Sequence, residues 1–212
     1  MIADTFRDHL IRRLGGRTDL TSLVFDLMNE VKNTVLERRA WYPWFLIQDT
    51  AEDSTHLQTV VGSELVALPT GYLMQVEDED VYLLDSDGEV ERVLAKMYYA
   101  DMLGKFDVDD EIYAYTLRGM TMRVRGLPTE VRNIRMKYYK ADTNFATGQE
   151  NNWLKYASAA VFGEVGALMA GHYIKDYDMA ARFEQDAAKA WMAIQNETTS
   201  RLEAGADRIK GN

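Results

Sequence analysis

Cysteine is absent from all 212 residues, which excludes a disulfide framework, a thiolate nucleophile and any cysteine-ligated zinc or iron–sulfur site. Histidine is scarce: His9, His56 and His172 lie far apart and make no His-x-x-x-His pair. His172, alone at the end of an apolar helical face, reads as a capped or solvated residue rather than a ligand. Long apolar runs are missing too. Glu164 and His172 interrupt the most apolar stretch, well short of the roughly 20 apolar residues a membrane span needs. The first residues, MIADTFRDHLIRRL, carry charge throughout and lack the apolar core of a signal peptide, so a cytosol-like compartment is expected. Positive charge is also in short supply, with 24 Lys and Arg against 34 Asp and Glu and a net charge of -10. A protein built to grip nucleic acid is basic instead.

Catalytic signatures are equally thin. No Gly-x-Ser-x-Gly elbow occurs, and Gly15-Gly16-Arg17-Thr18 lacks the lysine of a phosphate loop, so it marks a helix end. DSDGEVE has the look of a calcium loop, but Leu83 stands where an acidic ligand is required. No metal and no cofactor are expected.

What is present is helical spacing at both ends and period-two alternation between. Leu20, Leu23, Val24, Leu27, Met28, Val31 and Val35 follow the three-and-four spacing of one amphipathic helix, with Thr18 or Asp19 as its cap, after a shorter helix over 2–14. A hairpin is expected in THLQTVVGSELVALP, turning near Gly62-Ser63; past Pro69 the pattern is period two, with a second hairpin turning at Asp87-Gly88 and three strands in 111–142 broken at Arg118-Gly119 and Gly126-Leu127-Pro128. LAKMYYADMLGKF fits a short helix or turn. A helix starting at Asn151 or Asn152 and a second one capped by Asp176, with Met179, Ala180, Phe183, Ala187, Trp191, Ile194, Thr198 and Leu202 on one face, complete the chain. The fold class expected is α+β. An N-terminal helix pair (1–50) and a C-terminal antiparallel helix pair (151–203) form a helical bundle, and an antiparallel β-hairpin or sheet region (56–142) is inserted in one domain, with a flexible tail at 204–212.

Three features stand out of this pattern. Ala159, Gly163, Ala167 and Gly171 recur every four residues inside a helix, although a helical glycine costs about 1 kcal/mol relative to alanine. The spacing suits a groove for the antiparallel helix over 177–202, or a contact with another subunit. Trp41, Tyr42, Trp44 and Phe45 flank Pro43 and read as a plug between helix and sheet or as an aromatic anchor at an interface. Glu77, Asp78, Glu79 and Asp80, followed by Asp85, Asp87, Glu89 and Glu91, read as a solvated strand end.

The order of these pieces resembles the head-to-tail adaptor (connector) proteins of short-tailed bacteriophages. A VxGxxxxxLP hairpin (VVGSELVALP) follows the aromatic end of the N-terminal helices. LRG with a following valine strand precedes the "YY" strand of KYYKAD, and then come NNWL, the Phe162-Gly163 step in a small-residue helix, the break at Lys175-Asp176 and a final helix with arginine and aromatic anchors. The resemblance implies a structural virion protein and no enzyme. It implies a ring, commonly of twelve copies, beneath the portal protein, made in the host cytoplasm and carried at the head-to-tail interface of the virion. The ring would extend the channel for double-stranded DNA, passed without sequence-specific binding, and offer a platform to a tail nozzle or tail-tube protein, with no membrane involved. Portal contact would fall on the C-terminal positions Arg201, Leu202, Arg208 and Ile209, and the acidic run would line the channel or face the tail. The rival readings are another structural component of a virion, which lacks the heptads expected of a fibre, and a small hydrolase using paired carboxylates, which lacks an apolar pocket to raise a carboxyl pKa.

Overall fold

Ala3, Phe6, Leu10 and Ile11 repeat at helical spacing, and all four are buried along one side of α1 (Ala3–Arg13). Gly15 and Gly16 end it, both at positive φ, donating back to the carbonyls of Arg12 and Ile11 at 3.2 and 3.0 Å. In the computed structural model the described residues are 1–51, 57–102 and 111–210, the last six as backbone only. They divide into two compact units, one made of Met1–Leu46 with Asp142–Asn212 and the other of Ile47–Ala141.

The expected single helix over 20–35 is split. A 3₁₀ segment, Thr18–Leu23, leads into α2 (Val24–Thr34), and a second 3₁₀ turn covers Leu36–Arg38. Neither Thr18 nor Asp19 makes a side-chain cap bond, because the Asp19 carboxylate is taken by Arg17 at 2.9 and 2.7 Å. The buried stripe survives the change of pitch through Leu20, Val24, Leu27, Met28 and Val31.

The Ile47–Ala141 unit overturns the expected helical bundle with an inserted hairpin region. Along the chain it carries β1 (Ile47–Asp49), β2 (Leu57–Gln58), β3 (Leu65–Ala67), β4 (Tyr72–Gln75), β5 (Val81–Leu84), β6 (Val90–Lys96), the short helix α3 (Tyr99–Met102), β7 (Ala114–Arg118), β8 (Thr121–Arg125), β9 (Asn133–Arg135) and β10 (Lys137–Lys140). Seven of the strands form one sheet in the order β2-β9-β5-β6-β7-β8-β3, and three form another in the order β1-β10-β4. The outer strands β2 and β3 of the larger sheet approach each other, so it curls into a nearly closed barrel. Inward side chains, among them Val66, Val81, Leu83, Leu94, Tyr115, Met122, Val124 and Ile134, make its core.

The corrections have a common cause, which is pairing between strands distant in sequence. Gly62 (φ 72) does make a tight turn with a Val60–Ser63 bridge, yet β2 and β3 do not pair as a hairpin: β2 pairs with β9 and β3 with β8. The strands expected as three after residue 111 are four, because Met136 separates β9 in the large sheet from β10 in the small one. β6 runs parallel to β7 where an antiparallel region was expected. The turn at Asp87-Gly88 matches the expectation, with Gly88 at φ 86 and the Asp85 carboxylate accepting from the amides of Asp87 and Glu89, each at 2.9 Å.

The remaining helices return to the first unit. Asn151 caps α4 (Asn152–Tyr156) through Leu154 N at 3.0 Å, and Ala157 interrupts the expected continuous helix before α5 (Ser158–Leu168). A π turn, Met169–Ile174, extends α5 until Lys175 takes the left-handed conformation (φ 64). Asp176 then caps α6 (Tyr177–Lys210) by accepting from Met179 N at 2.9 Å. α5 is the hub of this unit, touching α1, α2, α4 and α6. The segment leading into α4 is fixed by α2 and the turn after it: Asn29 exchanges two bonds with the Phe145 backbone at 3.1 and 2.8 Å, and Glu37 accepts from Asp142 N at 2.9 Å. Glu37 also pairs with Lys32 at 3.3 Å, and both side chains are buried.

Candidate interaction surfaces

Small residues on α5 let α6 come close. A Cβ built on Gly163 falls 2.6 Å from the Ala187 Cβ and 2.7 Å from its backbone nitrogen, and one on Gly166 falls 2.5 Å from the Phe183 ring. Of the four residues singled out by spacing, Gly163 is buried against α6, Ala167 and Gly171 are half-buried, a Cβ built on the latter falling 3.7 Å from the Ala180 Cβ, and Ala159 is exposed. Gly166 escaped the four-residue reading, although its spacing of three from Gly163 is the other helical neighbour relation.

The aromatic run packs inside the helical unit. Trp41 meets Trp191 edge-on at 5.8 Å, Phe45 lies edge-on to Trp153 at 5.1 Å and stacks on Tyr156 at 5.5 Å, and Trp44 tilts against Tyr156 at 4.9 Å. The Tyr42 hydroxyl donates to the Glu37 carbonyl at 3.1 Å, and burial, followed by the Glu37 charge, pushes its phenol above the usual value. Polar groups tie this cluster to α6. Trp44 N donates to Thr198 Oγ1 at 3.3 Å, Trp191 Nε1 donates to Glu164 at 2.8 Å, and the Arg39 guanidinium covers the Trp191 ring at 3.9 Å.

The buried stripe of α6 runs through Ala180, Phe183, Ala187, Trp191, Ile194 and Thr198 and then stops. Arg201 lies over the Trp44 ring at 3.8 Å and bonds Glu197 at 2.8 and 2.9 Å, while Leu202 is exposed. Arg208 and Ile209 belong to the backbone-only stretch, so their side chains lie outside the described residues; the backbone stays helical to Lys210. Residues 199–204, which follow Thr198, are all exposed.

On the β unit, Glu77, Asp78 and Asp80 are exposed at the β4–β5 turn, where Asp78 holds a left-handed φ of 60°, and Glu79 pairs with Lys137 at 2.8 Å. Their field reaches the neighbouring phenols. Burial first, then Asp80 and Glu79, raise Tyr82, and burial with Glu77 raises Tyr139. Among the described residues no group of three or more His, Asp or Glu is arranged to hold a metal ion, and no helix is long and apolar enough to cross a membrane.

No curated protein gives a significant match to the chain. The family model described as SU10 adaptor protein matches residues 1–209, and the chain accordingly belongs to this family of phage adaptor proteins.

Proposed function

We propose that copies of this chain form a ring, commonly of twelve, beneath the portal of a phage head, where they extend the DNA channel and carry the docking platform for the tail. The observation that supports this reading most is that residues 199–204 of α6 are exposed while its backbone stays helical to Lys210. A helix whose exposed turn covers no core of its own unit is suited to a partner. Arg208 and Ile209 stand on it seven residues after Arg201 and Leu202, two turns along one face. The net charge of -10 agrees with a channel wall that lets DNA slide, since each neutralised phosphate adds affinity through counterion release and slows transit. Co-sedimentation with portal rings tests the reading. The full chain is expected to pellet with the portal and a chain ending at Leu202 is expected to stay in the supernatant; a shortened chain that still pellets places the contact elsewhere.

A further inference from the structure

The β unit is acidic, yet arginines gather on one part of its barrel. Met122 and Val124 of β8 face the core, so Arg123 and Arg125 point outward. Arg118 is exposed at the β7–β8 turn, with its guanidinium over the Tyr99 ring at 4.4 Å. Hydrogen bonding by Arg118, with a lesser contribution from Arg123, holds the Tyr99 phenol below its usual value. Arg123 is paired with Glu64. Among the described residues no carboxylate pairs with Arg118, so its charge is offset by an aromatic ring and a hydroxyl alone.

The opposite charge sits at the β4–β5 turn. Glu77, Asp78 and Asp80 are exposed there, and of this run only Glu79 is in an ion pair among the described residues. The turn is held in shape by the Gln75 side chain donating to the Glu79 carbonyl at 3.2 Å and by Val76 N donating to the Lys137 carbonyl at 3.1 Å. Strand registers place turn and arginines at the same end of the barrel. Val81, the first residue of β5, faces Leu94, Lys96 faces Tyr115, and Thr116 faces Arg123, so Arg118 and Arg123 stand at the end where β5 begins. Around the barrel β8 is three strands from β5 one way and, across the approach of β2 and β3, four the other. Turn and arginines therefore share a height on opposite sides. The other acidic turn, with Asp87 and Glu89, lies at the far end of β5.

We infer that Arg118 and Arg123 of one copy receive the β4–β5 turn of the next copy, with the carboxylates of Glu77, Asp78 and Asp80 set against the guanidiniums. Charge complementarity selects this occupant, because the planar guanidinium fork matches a carboxylate and Arg118 has none of its own. A head-to-tail contact needs two different faces on each subunit, and faces at one height on opposite sides let a single rotation repeat until the ring closes. Duplex DNA suits the patch less well, since its binders contact several phosphates and one of these two arginines is already spent on Glu64. The inference rests on the ring reading above and adds the faces that meet.

The absence of cysteine makes the test direct. Met120 is exposed beside Arg118, and Glu77 can be replaced while Asp78 and Asp80 stay in place. Full-length Met120→Cys and Glu77→Cys chains, each first shown to melt with the unmodified protein, are mixed at high concentration and treated with a short bismaleimide. The expected product is a covalent dimer linked 120 to 77, found in the mixture and in neither variant alone. Adding Arg118→Glu to the Met120→Cys chain is expected to cut the yield several-fold, and adding Asp80→Lys to its partner to restore it. Links of 120 to 120 or 77 to 77, no dimer, equal linking of 120 to an Asp87→Cys chain, or a yield that Arg118→Glu leaves unchanged would overturn the proposal. So would duplex DNA retained by the unmodified chain and released by Arg118→Glu, which would assign the patch to phosphates. Portal co-sedimentation of the cysteine-free chain reads the ring assignment separately, so linking can fail while portal binding holds, and the reverse.

Discussion

At Gly163 two effects of opposite sign meet. Replacing a helical glycine by alanine ordinarily gains about 1 kcal/mol. Here the new methyl falls on the backbone of Ala187 as well as on its side chain, and a backbone cannot swing aside. Overpacking of this kind costs about 1–3 kcal/mol, so Gly163→Ala is expected to lower the melting temperature. Gly171→Ala, with ordinary van der Waals space in front of it, is expected to leave the melt unchanged or raise it. Thermal melts of the two variants side by side check this, and equal behaviour would mean that α6 does not press on α5 at Gly163. Asp49 offers a pH test in the β unit. Burial pushes its carboxyl up, but hydrogen bonds from Arg135 and the Ala51 amide, with the charges of Arg135 and Lys137, outweigh it and hold the pKa below the usual value. A folded-state pKa below the unfolded one stabilises above the unfolded value and is lost as pH falls through the folded one. Asp49→Asn is therefore expected to melt lower than the parent at neutral pH. The gap should close as the pH drops below the ordinary aspartate value of about 3.9; a gap independent of pH would assign the loss to packing.

Among the elements, α6 joins the stable unit to the proposed portal arm, and Arg201 marks the junction. Its guanidinium over Trp44 is worth about 0.5–1 kcal/mol at an exposed site. A double-mutant cycle of Arg201→Ala with Trp44→Ala is expected to return a coupling of that size in thermal stability, and zero coupling would mean the stack does not persist in solution. Truncation after Leu202 spares this contact, so portal binding and stability are expected to separate there. The helices were legible in the sequence because each buried stripe repeats within its own segment, as Phe183, Ala187, Trp191 and Ile194 do. The caps at Asn151 and Asp176 were legible for the same local reason. The barrel was not. Val81, Leu83, Met122 and Val124 alternate as expected of strands, but alternation does not name a partner, and the pairings of β5 with β9 and β6 with β7 join segments remote in sequence. The break at Met136 was hidden likewise, since β9 and β10 read as one strand until their partners place them in different sheets. On the site side, Gly163 and the WYPWF run could be found from spacing and composition, whereas the exposure of Val60 and Val61 could not. Exposure of a valine depends on the surrounding sheet and not on its sequence neighbours.

On the scale of the whole molecule, copies of a strongly acidic chain in the proposed ring would assemble against their own charge. With -10 per copy, neighbours repel at low ionic strength. The free protein is accordingly expected to sediment mostly as a monomer at micromolar concentration; a stable closed ring without a partner would contradict this. A portal that binds the end of α6 would raise the local concentration of copies and let a ring close only there, which places portal binding before ring closure. Electron microscopy of the full chain mixed with matching portal particles is the decisive measurement for the proposed ring. The expected image is a ring of density capping one end of the portal, with its central channel open. Portal particles left bare on both ends, or density blocking the channel, would contradict it.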